Sequence, residues 1–129
     1  MRDIITGLDG EHYLRSDLDN QWDKTINVGT ANRGENFVIN GYLGGTNRRG
    51  AWDSADRLQF STEGNIHLEL NTDAQVITEL VRFDQGIATV VASVEYGDRL
   101  SLDLTAGNYG LSFFVEDDLI DYHVRANFL

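Results

Sequence analysis

The chain has 129 residues, 41% of them apolar, a size near the common single domain of roughly 100–150 residues and sufficient to bury a core without a metal or disulfide. Ten basic against 21 acidic side chains give a formal net charge of −11, which argues against nucleic acid or an anionic membrane as a partner, because both are held by Lys and Arg. Cysteine is absent, which excludes thiolate nucleophiles, cysteine-based zinc sites and a disulfide framework.

One domain spanning residues 1–129 is expected, with a loop-rich N-terminal third. The segment Met1–Gly7 carries a charge at position 3 and lacks the apolar run of a secretory signal, and no window reaches the ~20 apolar residues of a membrane helix. A cytoplasmic protein is the expectation. Gly and Asn then recur from Asn27 to Gly50, marking turns. Within that stretch Asn36–Leu43 reads as a strand, and Arg57–Ser61 as the next.

From there the apolar period is two, the spacing of strands with one buried face. Ile66, Leu68 and Leu70 alternate with His67 and Glu69. Val76–Phe83 and Ile87–Tyr96 are β-branched and nearly continuous in apolar character, which predicts central strands covered on both faces, joined by a hairpin turn at Asp84-Gln85-Gly86. A helix over Ala74–Arg82 is the weaker alternative, since β-branched residues favour a strand. Leu100, Leu102 and Leu104 form the next alternating run, then Tyr109 to Val115, then Tyr122 to Phe128, with Ser112, His123 and Arg125 on the opposite faces. Turn residues separate these runs at Glu63-Gly64-Asn65, Gly97-Asp98, Ala106-Gly107-Asn108 and Asp117-Asp118. The prediction is an all-β fold, an antiparallel β-sandwich of about eight or nine strands. A terminal strand such as Ile120–Leu129, if it lay at an edge, could pair across a dimer two-fold.

Few groups suggest chemistry. Asp17, Asp19 and Asp23 place hard oxygen ligands close together, but counting from Asp17 puts Trp22 and Val28 where a calcium loop needs Gly and Glu. Glu116, Asp117, Asp118 and Asp121 form an acidic cluster between two predicted strands, suited to a charged turn or to a basic partner. Arg48 and Arg49 sit in the Gly-rich stretch 44–50, the one basic concentration, without the Gly-Lys-Ser/Thr ending of a phosphate loop. Trp52, like Trp22, is either a packing anchor or an interface residue. The three histidines, His12, His67 and His123, lack metal-binding spacing, though His67, His123 and Glu69 could meet if their strands paired. No serine sits in a Gly-x-Ser-x-Gly elbow, and none has a recognisable partner pattern.

The stretch Gly50-Ala51-Trp52, then Leu58-Gln59-Phe60, Gly64 to Leu70 and Ala106 to Leu111 resembles the pattern of the competence protein J family over residues 50–129. The resemblance implies a cytoplasmic inhibitor of a DNA-entry nuclease that acts through a binding surface, with no catalytic residues, and no functional position carries over. Charge points the same way: residues 61–129 hold 12 acidic and three basic side chains. The expected function is therefore non-enzymatic, an acidic module without a cofactor that binds and inhibits a basic protein such as a nuclease or toxin. Its contact is expected at Glu116, Asp117, Asp118, Asp121, Arg48, Arg49 and Trp52. A calcium- or small-ligand-binding sandwich is the alternative.

Overall fold

The computed structural model describes residues 3–7, 12–15, 26–43, 55–72, 76–94, 99–114 and 120–129. They form eleven strands: β1 (Asp3–Thr6), β2 (His12–Arg15), β3 (Ile26–Ala31), β4 (Asn36–Leu43), β5 (Ala55–Thr62), β6 (Ile66–Thr72), β7 (Ile77–Asp84), β8 (Ile87–Val94), β9 (Leu100–Leu104), β10 (Gly107–Phe114) and β11 (Ile120–Phe128). Two sheets result, one of six strands ordered β2-β1-β4-β11-β6-β9 and one of five ordered β3-β5-β10-β7-β8. The all-β sandwich expected from the period-two runs is the observed architecture. Two four-residue strands, β1 and β2, add to the expected number in the N-terminal third.

All pairings are antiparallel except β3 with β5, which run parallel. A parallel pair needs a crossover, and here it is β4, which leaves for the other sheet before the chain returns as β5. Among the described residues of the segment 74–82 there is no helix; 77–82 lie in the strand β7, as its β-branched content favours.

The core lies between the sheets. From the six-stranded sheet come Phe37, Ile39, Leu68, Leu70, Val124, Ala126 and Phe128, and from the other Leu58, Phe60, Leu80, Tyr109, Leu111 and Phe113, all buried. Rings join the two layers. Phe60 of β5 lies 5.4 Å from Phe128 of β11 and 6.0 Å from Phe37 of β4, between ring centroids, and stacks on Tyr109 at 5.6 Å. The alternation read from the sequence thus delivers each run's large side chains to one interior.

One expectation needs correction, and two points left open are decided. Ile87–Tyr96 was expected to be a central strand, yet β8 is the edge of its sheet and its side chains are largely exposed, with Ile87 at 68%, Val90 at 54% and Val91 at 46%. An apolar run without periodicity says that both faces are greasy, not that both are covered. Ser112 takes the face opposite Leu111 and Phe113, as expected, and is buried there. It belongs to β10, the middle strand, and sits in register with the longer Arg57 of β5 and Glu79 of β7. The terminal strand β11 is interior, between β4 and β6, and so is not an edge.

The hairpin turn is where it was expected. Asp84 pairs with Ile87, and the two residues between them, Gln85 and Gly86, have φ of 51° and 79°. Left-handed conformation at both positions is the turn whose twist matches a right-handed hairpin, and Gly at the second position supplies it without steric cost.

Thr78 of β7 is fully buried, and its hydroxyl has no hydrogen-bond partner among the described residues. Hydration lost on folding is then uncompensated. Thr78→Val is expected to raise the unfolding free energy by about 1 kcal/mol, measured by urea denaturation with an unchanged slope.

Candidate functional site

The two faces of the six-stranded sheet differ. Alternation sends Ile66, Leu68 and Leu70 inward and leaves His67 and Glu69 of β6 outward, beside Ser101 and Asp103 of β9. The backbone of His67 exchanges hydrogen bonds with Leu129, at 3.2 Å and 2.9 Å, so its N–H and C=O point toward the β11 side. Its pairing with Asp103 on the β9 side is therefore a non-hydrogen-bonded one, where facing side chains come closest.

The imidazole bridges two residues of β9. Nδ1 lies 2.8 Å from Asp103 Oδ1 and Nε2 lies 2.9 Å from Ser101 Oγ. A shallow groove runs past this cluster, lined by Arg33, Asn65, His67, Asp103, Thr105 and Leu129. It gathers a cation, an imidazole and a carboxylate from three separated parts of the chain.

Arg33 reaches the groove through a tight turn. Glu35 N–H donates to Asn32 O at 3.1 Å, Asn32 N–H donates to Glu35 Oε1 at 2.8 Å, and Gly34 takes the left-handed φ of 89° that the turn needs. Gly34 N–H then donates to Phe128 O at 2.7 Å, and Phe128 N–H to Glu35 O at 2.9 Å. This ties the turn to the end of β11, next to Leu129.

Thr105 is held from the other side. Its carbonyl accepts from Tyr109 Oη at 2.7 Å and from Thr62 Oγ1 at 2.8 Å. The Arg82 guanidinium donates to Thr105 Oγ1 and Tyr109 Oη, both at 2.7 Å, and to the Ala106 carbonyl at 2.8 Å, with its carbon 5.4 Å from the Tyr109 ring centroid. Gly107 makes room for it, since a Cβ there would lie 2.9 Å from the guanidinium carbon. The connection from β9 to β10 is thus clamped at the groove's end.

Ser101, His67 and Asp103 have the connectivity of a hydrolase triad, hydroxyl to Nε2 and Nδ1 to carboxylate. The environment differs from that of a working triad. The Asp103 side chain is 90% exposed, so water screens the charge that would hold an imidazolium, and Ser101 lies on an exposed sheet face. What the register produces is a cross-strand polar ladder on a solvated surface.

Sequence reasoning left Ser101 without a partner and did not group these residues. Each alone showed its outward position; the offset between β6 and β9, which places position 67 opposite 103, has no local signal. The His67, His123 and Glu69 grouping does not form. His123 bonds Asn40 Oδ1 at 2.7 Å on β4 and sits six residues from Leu129, the position aligned with His67, about 20 Å along the strand. Among the described residues no group of three or more His, Cys, Asp or Glu is placed to hold a metal. Asp121 lies in β11 opposite Tyr42. Glu116, Asp117, Asp118, Arg48, Arg49, Trp52, Asp17, Asp19 and Asp23 lie outside the described residues.

No protein-family model matches the chain, and no curated protein does. Solved structures do. The pre-peptidase C-terminal domain of a collagenase from Bacillus anthracis is similar with a TM-score of 0.53 and 16% identity, covering 86% of this chain and 100% of that one. PliG of Aeromonas hydrophila, a periplasmic inhibitor of g-type lysozyme, gives 0.54 at 9% identity, over 81% and 97% of the two chains. A PliG mutant from Escherichia coli gives 0.51 at 15% identity, over 81% and 98%. At these identities the likeness establishes the sandwich fold.

The Arg82 clamp makes a quantitative prediction. Arg82→Ala is expected to cost about 1–3 kcal/mol through its lost charge-assisted hydrogen bonds. Gly107→Ala, which shifts the end of the flexible Arg82 side chain, should cost less than Arg82→Ala, and in the Arg82→Ala background it should cost nothing further, measured as a double-mutant cycle in urea.

Proposed function

We propose that this protein is a non-enzymatic binding module that occupies and inhibits a basic protein. The observation that carries the reading is charge: a 129-residue sandwich with a net charge of −11 presents a field that attracts a basic surface and accelerates its association. Glu116, Asp117, Asp118 and Asp121 are the residues we assign to the contact, in the acidic half of the sequence. Support comes from the PliG proteins, in which the same kind of sandwich inhibits a g-type lysozyme. The likeness to competence protein J would make the partner a nuclease.

The polar ladder on β6 and β9 is consistent with binding rather than catalysis. An exposed carboxylate and an exposed hydroxyl form hydrogen bonds with a partner readily, but they are not preorganised against water for acyl transfer. Ser101 is therefore expected to resist a phosphonofluoridate, with mass spectrometry of the intact chain showing no adduct that depends on His67. A stoichiometric adduct at Ser101, lost in His67→Ala, would instead assign hydrolysis.

The binding reading is tested by titrating the protein against basic enzymes, a g-type lysozyme and an endonuclease among them, while following both affinity and inhibition. Raising salt from about 50 to 500 mM should weaken binding about tenfold or more, because screening acts on this attraction. A variant carrying Glu116→Gln, Asp117→Asn, Asp118→Asn and Asp121→Asn should bind more weakly with a shallower salt dependence. Affinity for a basic partner that is indifferent to salt, or no affinity for any of them, would refute the proposal.

A further inference from the structure

Among the described residues four strands end the two sheets: β2, β9, β3 and β8. A free edge offers a row of unpaired backbone groups to any other strand, and proteins usually blunt it with charge, irregularity or brevity. β2 is four residues with an Arg, β9 carries Asp103, and β3 is broken by Gly29 at φ 111° and a shift of register. β8 is neither short nor charged, and its one irregularity is a shift of register against β7. Its eight residues, Ile-Ala-Thr-Val-Val-Ala-Ser-Val, contain no charge and no proline, and they expose Ile87, Val90 and Val91.

We propose that β8 pairs antiparallel with β8 of a second copy of this chain, about a two-fold axis between Val90 and Val91, to join two five-stranded sheets into one of ten.

The choice of a second copy rests on the register with β7. Leu80 pairs with Ala92 and Val81 with Val90, so Val91 is an extra residue in a β-bulge. On the N-terminal side, Val90 and Ala88 share the outer face with Val81 and Phe83, while Thr89 and Ile87 share the inner face with Arg82 and Asp84. Past the bulge the parity is inverted: Ala92 and Val94 face inward and pack on the core, and Ser93 faces outward beside Glu79. We take the bulged residue Val91, 46% exposed, to share the outer face with Val90; read from the centre outward in both directions, the faces then run out, in, out, in.

A bulge normally spoils an edge, because a regular partner strand keeps its alternation where the bulged one has inverted it. Two copies related by a two-fold carry the inversion at the same place. Opposite residues then lie on the same face throughout: Val90 and Ile87 face Val91 and Val94 of the other copy, Ala88 faces Ser93 and Thr89 faces Ala92, with no charge at any position. A strand of unrelated sequence has no reason to match this inverted pattern, whereas the same strand matches it by symmetry.

Net charge makes the pairing distinguishable from the binding proposed above. Each copy carries −11, so two copies repel and salt must strengthen their association, whereas it must weaken attraction to a basic partner. The two readings are independent, and each can fail alone.

The test is sedimentation equilibrium of the full chain from about 1 µM to 1 mM, at low and high salt. A monomer–dimer equilibrium that tightens with salt is expected. Val90→Lys, at a site 54% exposed, should shift it at least tenfold toward monomer while the circular dichroism and melting temperature stay unchanged. The register is tested separately, since the native chain has no cysteine to interfere. On mild oxidation, a mixture of Thr89→Cys and Ala92→Cys proteins should form the mixed disulfide in preference to either like pair. A chain that stays monomeric throughout the range, a dimer indifferent to Val90→Lys, or disulfides formed without preference would each overturn the proposal.

Discussion

The two sheets are joined by a cluster of aromatic rings, and most of what lies at the molecule's surface depends on it. Phe37 and Phe128 come from one layer and Phe60 and Tyr109 from the other, and all four are buried. Each ring removes a large apolar area from water, of the order of 2–3 kcal/mol of transfer free energy, and the tilted and stacked contacts add to it. Because these side chains must point inward, the residues on either side of them must point outward. Tyr109 extends the effect: its ring is in the core while its hydroxyl holds the Thr105 carbonyl and accepts from Arg82, so the packing of the interior governs the connection at the groove's end.

The same constraint explains the character of the six-stranded sheet's outer face. With Leu68 and Phe128 committed to the core, His67 is directed to solvent beside Ser101 and Asp103. The cluster follows from alternation and from the register of β6 with β9. A hydrated, hydrogen-bonding surface beside a shallow groove suits contact with another protein, where polar groups exchange water for a partner at little cost. The second sheet differs at its far side. There β8 leaves apolar side chains in water at the end of the layer, an arrangement that a monomer tolerates only in part and an added strand would relieve.

Much of this was legible in the residues. The period of two located β6 and β9 to β11 within a few positions, because a strand with one buried face must alternate, while β7 and β8 were marked by β-branched apolar runs. The turn at Gln85 and Gly86 was legible because left-handed backbone selects its residue types. The burial of Ser112 and the exposure of β8 have a common cause. Burial on the outer face of a sheet is conferred by neighbouring strands, and neither strand order nor the identity of an edge leaves a trace in local composition. The strand β3 had no alternation to announce it, and its parallel pairing depends on β4 crossing to the other layer.

What the sequence by itself determined is therefore the class of fold, the positions of most strands, the inward set of each alternating run and the sign of the charge. These follow from local rules, side-chain period and turn stereochemistry, together with simple counting. Only the tertiary structure decided that β11 is interior and β8 an edge, that Arg82 clamps Thr105, and that His67 lies between Ser101 and Asp103. Each of these depends on the offset between strands distant in the chain, and that offset is chosen by the packing of the whole core rather than by any segment within it.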